Sequence, residues 1–501
     1  MTDLYRTLAA GFAGALDRPC LISPDGSVIT YAEVDQTSAR VAAMLRAAGL
    51  RRGDRVAAQV DKSPASLLAY LGTLRAGGVF LPLNTAYRHD EIAYFLGDAE
   101  PTITICRPQD HDSFAATSGV RAAFTLDAAG AGTWADAVDA APAEAPEPPA
   151  EDDLAVIVYT SGTTGRSKGA MLSHRNLTSN AQALQQLWGF RSDDVLVHAL
   201  PIFHVHGLFV ATHTAMLTGI PLRFHPNFDP AAVIDEFPRS TVFMGVPTMY
   251  VRLLTQLGLD SQRCAGMRLF VSGSAPLLPE TFQSFRERTG HTILERYGMT
   301  ETGMNTSNPY VGDRKAGTVG VPLPGVSVRV VAEGDRPLPV GEVGDVQISG
   351  PNVLMGYWRR PDKTAEDFTA DGWFRTGDVG VFDADGYLEL VGRSKDLVIS
   401  GGYNVYPKEI ELLLDEMPGV SESAVIGVPH PDFGEGVVAV LTLRPGAEVD
   451  EAATIARLKE SLASYKVPKA VRVIDELPRN AMGKVQKNLL RDRYSELFAT
   501  R

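Results

Sequence analysis

The sequence predicts an α/β protein: a large N-terminal domain of α/β sheets that carries a β-rich subdomain, followed by a small C-terminal α+β domain. Three observations predict it. Segments of helical period alternate with short apolar runs of strand length from residue 31 to residue 272. Near residue 320 the texture changes to short strands set between Gly and Pro turns. The segment after Gly392-Arg393-Ser394-Lys395-Asp396 then carries helices of its own and is long enough to be a separate small domain. At 501 residues the chain is too long for a single core.

Residues 8–16 are alanine-rich and weakly apolar; Asp3 and Arg6 cancel in charge, and no basic leader precedes them, so an amphipathic helix is expected and not a signal peptide. Thr30-Tyr31-Ala32-Glu33 has the form of a capping box. Val34, Val41 and Leu45 then recur on one helical face until Gly49 stops the helix. Residues 56–60 and 78–83 read as strands around a helix at 65–74. Residues 128–153 are rich in Ala, Pro, Glu and Gly with little to bury, which predicts a solvated linker. Strands are expected again at 195–199, 221–224, 242–246 and 268–272, then at 326–331, 344–349 and 386–391. Helices are expected at 407–417 and 454–462.

The formal charge of -13 repels nucleic acid and anionic membrane, so an anionic ligand needs local cations. Cys20, Cys106 and Cys264 are far apart and without metal-like spacing, which points to a reducing compartment and no disulfide framework. No apolar stretch approaches the roughly 20 residues needed to cross a bilayer. A cytoplasmic location is expected.

The chain is organised around residues 154–169, LAVIVYTSGTTGRSKG. A short run of β-branched and aromatic residues predicts a buried strand, and it breaks into a loop of phosphate-ligand types. Gly162 and Gly165 let backbone approach a polyanion. Thr160, Ser161, Thr163 and Thr164 supply hydroxyls, and Arg166 and Lys168 supply charge. The spacing is not that of a Walker loop, because the lysine stands three residues after Gly165 and is followed by Gly169.

Further strings follow in order: SGSAPL at 272–277, ERYGMTE at 295–301, TGD at 376–378, GRSKDLVISGGYNVYP at 392–407 and LPRNAMGKVQK at 477–487. With the glycine-threonine loop, these resemble the adenylate-forming superfamily of acyl-CoA synthetases, peptide-synthetase adenylation domains and firefly luciferase, over nearly the whole chain. The resemblance implies ATP, Mg²⁺ and coenzyme A as reactants and ions. It implies phosphate contacts from the loop and from Lys168, and metal contacts from Glu301 and Thr163, with Thr300 beside them. Adenine would lie against Ser274, Ala275, Arg296, Tyr297, Gly298 and Met299, and the ribose on Asp378 and Arg393. Chemistry supports the pattern: a carboxylate and a triphosphate repel each other, so cations and fixed geometry are needed to join them.

Lys484 resembles the mobile catalytic lysine of the superfamily, and Lys395 stands at its hinge. The implied organisation is an N-terminal domain, residues 1–394, that binds acid and ATP, and a mobile C-terminal domain, residues 395–501, that carries Lys484. After adenylation that domain would turn so that Gly401, Gly402, Tyr403 and Asn404 line a thiol tunnel.

PIFHVHG at 201–207 and GVPTMYVRLL at 245–254 resemble the acyl-pocket strings of the family. With Pro247 at a helix start, Thr248 and Arg252 share one face, while Met249, Leu253 and Leu257 are expected to pack inward. Arg252 could then hold a second carboxylate. ERYGMTETGMNTSNPYVGDR, GVPHPDFGEGV and LPRNAMGKVQKN closely resemble malonyl-CoA synthetases, which also accept methylmalonate. His204 and Met304 would shape the space around the α-carbon; Arg239, Arg268 and Arg296 compete with Arg252. Val205 stands where a hydroxyl would add a polar contact, which leaves tolerance of α-substituents open.

Other readings are a ligase for a different small acid, an adenylation enzyme that loads a carrier protein, a luciferase-like oxygenase and a non-catalytic nucleotide-binding regulator. Retention of Lys168, Glu301, Asp378 and Lys484 together argues against the last. A lysine acetyltransferase acting on Lys484 or Lys487 would remove charge and silence the enzyme.

Overall fold

The computed structural model describes residues 3–144, 147–160, 167–400, 403–480 and 483–499. Its chain divides into two compact units, residues 1–328 with 348–374, and residues 329–347 with 375–501. This division by compactness falls inside the β-rich segment, upstream of the pivot expected at 394/395.

The first unit holds two large sheets. A seven-stranded sheet runs in the order Gly356–Tyr357, Lys168–Ser173, Leu154–Thr160, Val79–Pro82, Arg55–Gln59, Ile103–Cys106, Ala122–Thr125. Its centre is parallel, and its strands Val79–Pro82, Arg55–Gln59 and Ile103–Cys106 are buried almost throughout. A nine-stranded sheet centres on the parallel strands Leu222–Phe224, Leu196–His198, Val242–Gly245, Leu269–Ser272 and Leu294–Met299. Beneath it Phe237, Phe243, Tyr250, Phe270 and Phe285 meet edge to face.

The capping box forms as expected: Thr30 and Glu33 bond reciprocally at the start of helix Tyr31–Ala47, and Gly49 follows with φ +94°. The first helix is Leu4–Phe12, capped by Asp3, and so begins earlier than the apolar pattern suggested. The helix after Pro247 ends at Leu254, so Leu257 lies beyond it and is 98 % exposed instead of packing inward.

The expected linker at 128–153 is also corrected. It contains helix Thr133–Asp139, which packs against helix Tyr31–Ala47 and buries Trp134 and Val138. One Trp and one Val spaced by four outweigh the polar composition around them.

In the second unit a four-stranded sheet runs Ser327–Val331, Gly344–Ser349, Phe374–Phe382, Leu388–Arg393. A five-stranded sheet built on the long hairpin Val420–His430 and Gly434–Leu443 follows, and helix Pro407–Asp415 packs on it. Among the described residues no helix is long and apolar enough to cross a membrane.

Trp134→Ala should destabilise the first unit by about 3 kcal/mol, the usual cost of emptying a buried indole site. A clear fall in melting temperature is expected; an unchanged one would return this segment to a solvated connection.

Candidate functional site

The phosphate-ligand loop joins two antiparallel strands, with Thr160 opposite Lys168. It is therefore the tip of a hairpin, unlike a Walker loop, whose strand feeds a helix. Ser161, Gly162, Thr163, Thr164, Gly165 and Arg166 lie outside the described residues, as do Gly401 and Gly402.

Lys168 can be placed firmly. Its Nζ is 2.9 Å from Asp367 Oδ2 and 4.0 Å over the ring of Tyr357. Strand Gly356–Tyr357 pairs with Lys168–Ser173 and so brings Tyr357 to the base of the loop. Tyr357 donates its hydroxyl proton to Glu301 Oε1 at 3.3 Å. Burial first, then the carboxylates of Glu301 and Asp367, raise the Tyr357 phenol well above its ordinary value. A cation, two carboxylates and a phenol thus meet beside strand Lys168–Ser173. Tyr357 and Asp367 were not foreseen, because they arrive some 190 residues later in sequence with no motif to mark them.

Glu301 is buried in the turn between strand Leu294–Met299 and its antiparallel partner Gly303–Ser307, next to Thr300. Gly298 is required there, since a Cβ would lie 2.2 Å from the Gly303 carbonyl oxygen. Met304 is buried and fixed by Asn180, which accepts from its N–H at 3.0 Å and donates to its carbonyl at 2.8 Å. In the SGSA turn, Ser274 holds a left-handed φ of +73°, the type of backbone strain that clusters at ligand sites. Ala275 follows it. Glu295 accepts from the Leu277 N–H at 3.1 Å, tying the turn to the strand that carries buried Tyr297.

Behind this turn lies a buried cation. Arg296 is 2 % exposed, and among the described residues none of its three guanidinium nitrogens has a hydrogen-bond partner. Gly273 makes room for it, because a Cβ there would lie 2.5 Å from the guanidinium carbon. Burial pushes Arg296 down to about 9 against the opposing pull of Tyr250 and Glu295. His206 is also fully buried; among the described residues neither ring nitrogen has a partner, and burial followed by the Arg296 charge keeps it neutral. The hydroxyl of Ser272 is likewise buried with no partner among the described residues. Together these three groups form a donor set that suits an anion.

His204 accepts from the His206 N–H at 3.3 Å, and Val205 between them is buried. Arg252 does not enter the interior: it is exposed, with its guanidinium carbon 5.0 Å over Phe228. Phe228 and Met249 line a cavity of about 470 Å³ beyond the carboxyl ends of strands from both sheets. The other competitors are committed elsewhere, Arg268 to Asp194 and Arg239 to Glu236.

In the second unit Asp378 is buried and pairs with Arg393 Nε at 2.7 Å across adjacent strands. Burial, then the neighbouring Arg393, push Lys395 down to about 8. Tyr403 is exposed and stacks on Tyr465 with ring centroids 4.6 Å apart. Lys484 is exposed on a tight turn held by Asn480, which accepts the Lys484 N–H at 3.0 Å and donates its own N–H to the Lys484 carbonyl at 2.9 Å. Lys487 pairs with Glu411 at 2.5 Å.

Comparison with known proteins gives the family. Residues 9–358 match the AMP-binding enzyme family, and residues 409–484 match the AMP-binding enzyme C-terminal domain. The ATP-bound crystal structure of MatB from Rhodopseudomonas palustris is 52% identical, covers 99% of each chain and superposes with a TM-score of 0.95. A feruloyl-CoA synthase from an Amycolatopsis species is 39% identical over 94% of each chain. A malonate–CoA ligase from Arabidopsis thaliana is 33% identical over 98% of this chain and 88% of its own.

Asp378→Asn removes the charge expected to hold ribose hydroxyls, an interaction worth about 1.5–3 kcal/mol for a charged acceptor. The KM for ATP should rise at least tenfold with the KM for the acid unchanged. Equal shifts in both, measured by pyrophosphate exchange, would remove Asp378 from the nucleotide site.

Proposed function

The chain belongs to the AMP-binding enzyme family, and from that premise we propose that it is an ATP-dependent ligase that joins malonate to coenzyme A. One carboxylate oxygen of malonate attacks the α-phosphorus of ATP, and pyrophosphate leaves. The thiol of coenzyme A then attacks the carbonyl of the acyl-adenylate, forming the thioester and releasing AMP.

The observation that carries the choice of acid is the buried Arg296 guanidinium. A carboxylate bound there would accept two parallel N–H bonds and satisfy donors that no described residue satisfies. His206 and the Ser272 hydroxyl supply further donors to the same anion. An aromatic or fatty acid would leave all of them unpaired, so a second carboxylate is the acyl feature this pocket fits. Arg296, first grouped with the nucleotide residues and among the competitors for the acid, takes the role sought in Arg252, which stands near the mouth of the cavity.

In this reading Lys168 exchanges Asp367 for ATP phosphate oxygens. Glu301 fits a Mg²⁺ ion: it is a buried carboxylate linked through Tyr357 to Lys168, and magnesium asks for one or two carboxylates with phosphate oxygens completing its shell. The ion would neutralise charge on the triphosphate. Among the described residues no cluster of three His, Cys, Asp or Glu side chains forms a dedicated metal cage, which is compatible with an ion shared with the nucleotide. Lys484 bridges the attacking carboxylate and the α-phosphate, and residues 395–501 pivot at Lys395 between the half-reactions. Val205, His204 and Met304 bound the α-carbon, and a methyl group there, as in methylmalonate, meets apolar surface. A cytoplasmic location, where free coenzyme A is available, belongs to the same proposal. So does acylation of Lys484 by a lysine acetyltransferase, which would remove the bridging charge; Lys487, paired with Glu411, is the more protected of the two.

AMP release should be measured with malonate, methylmalonate, acetate and ferulate in the presence of coenzyme A. Malonate should be preferred, and Arg296→Met should lower kcat/KM for malonate by about a hundredfold or more, the expected loss for a buried charged hydrogen-bond partner. Acetate should be affected far less. A wild-type preference for ferulate, or equal losses for both acids, would overturn the assignment. Separately, Lys484→Ala should abolish adenylate formation yet still convert supplied malonyl-adenylate to thioester; loss of both steps would deny Lys484 its assigned role.

A further inference from the structure

The His206 ring is carried by an unusual piece of backbone. Residues His206–Ala211 form a π-helical turn that runs directly into helix Thr212–Thr218. A π turn holds one residue more than an α turn and weakens the helix, so it persists where something outside the helix fixes it. Here the fixing is visible at the Gly207 carbonyl. It accepts the Thr212 N–H, the Thr212 hydroxyl at 2.9 Å and the Nε2–H of buried His198 at 2.9 Å. Gly207 must lack a side chain, since a Cβ would lie 2.1 Å from the Pro201 carbonyl oxygen.

His198 is oriented in turn by Lys62. A carbonyl oxygen can only accept, so Nε2 of His198 carries its proton and the neutral ring presents Nδ1 as an acceptor. Lys62 Nζ donates to that Nδ1 at 2.8 Å and to the His198 carbonyl at 2.8 Å, gripping the residue at ring and backbone. The same ammonium lies 4.3 Å over the ring of Phe224. Burial holds His198 neutral and draws Lys62 well below its ordinary value, so the pair is costly to maintain.

We propose that Lys62 and His198 are positioning residues for acid selection, holding the π turn so that the His206 imidazole stays beside Arg296. If the Gly207 carbonyl lost its His198 and Thr212 side-chain donors, the turn could tighten to α geometry. Removing one residue from a helical register rotates everything before it by about 100° around the axis. His206 would swing away from the guanidinium, and the bound anion would lose a donor, while the nucleotide residues on other strands stayed in place. The inference rests on the reading of Arg296 and His206 as the anion site.

The test uses the full-length enzyme and whichever acid the wild type activates best. A wild type that prefers a monocarboxylate refutes the malonate reading by itself, before any variant is compared. Lys62→Met keeps the apolar stem and deletes the donors; Lys62→Gln keeps an N–H donor. Lys62→Met should raise the acid KM about tenfold, the loss expected for a charge-assisted hydrogen bond, with the ATP KM within about twofold of wild type. Lys62→Gln should recover most of that loss. Should Lys62→Met not fold, Thr212→Val, which removes the hydroxyl donor to Gly207, should give a smaller rise in acid KM alone. Parallel shifts in both KM values, or an unchanged acid KM in the folded variants, would overturn the proposal.

Discussion

In the proposed reading, a buried guanidinium without a hydrogen-bond partner among the described residues governs the acid end of this protein. Removing a charge from water costs several kcal/mol even after relaxation, and a counter-ion repays this only with good geometry. Among the described residues Arg296 has no hydrogen-bond partner to supply it. The neighbouring sequence is arranged around that fact: Gly273 gives up a side chain, His206 stays neutral, and strand Leu294–Met299 is held on both edges by pairing. In the proposed reading, a bound carboxylate offsets that cost. Selectivity then follows from the same penalty, because an acid without a second anionic group leaves the cost in place.

The phosphate end uses the opposite arrangement. Lys168 is already paired with Asp367 and capped by Tyr357, so its charge is stable before nucleotide arrives. A flexible polyanion can displace a single carboxylate, and the rest of the molecule, with a net charge of -13, offers no competing attraction. A small rigid acid brings fewer contacts and must be recognised by an unmet need instead.

Much of this was legible in the sequence for physical reasons. The hairpin strand before the glycine-threonine loop, the capping box at Thr30 and the alternating sheet segments are local patterns, and each formed. The acid site was harder to read. Arg252 looked suitable because helical spacing set it near the pocket strings, but it shares the exposed face of the helix with Thr248, opposite buried Met249 and Leu253. A signal for Arg296 was present: Glu295 and Arg296 interrupt a strand that is otherwise interior, and a charge on a strand buried on both faces demands an explanation. The segment at 128–153 was misread because composition was averaged over Trp134. Tyr357 and Asp367 were invisible for another reason, since sheet pairing brings Tyr357, and the helix that follows brings Asp367, to Lys168.

One strand joins the two ends. In the proposed reading Leu294–Met299 supplies Arg296 to the acid, and the turn that follows it supplies Glu301, linked through Tyr357 to Lys168, to the phosphates. Strand residues advance about 3.3 Å each, so backbone of fixed length separates the anion receptor from the triphosphate end. The reacting carboxylate of a diacid must span from one toward the other. A short diacid anchored at Arg296 has few torsions through which to miss the phosphorus, whereas a longer one anchored there must fold back to find it. The strand that supplies the charge therefore also gauges the length of the acid, and recognition of the distal group becomes orientation of the reacting one.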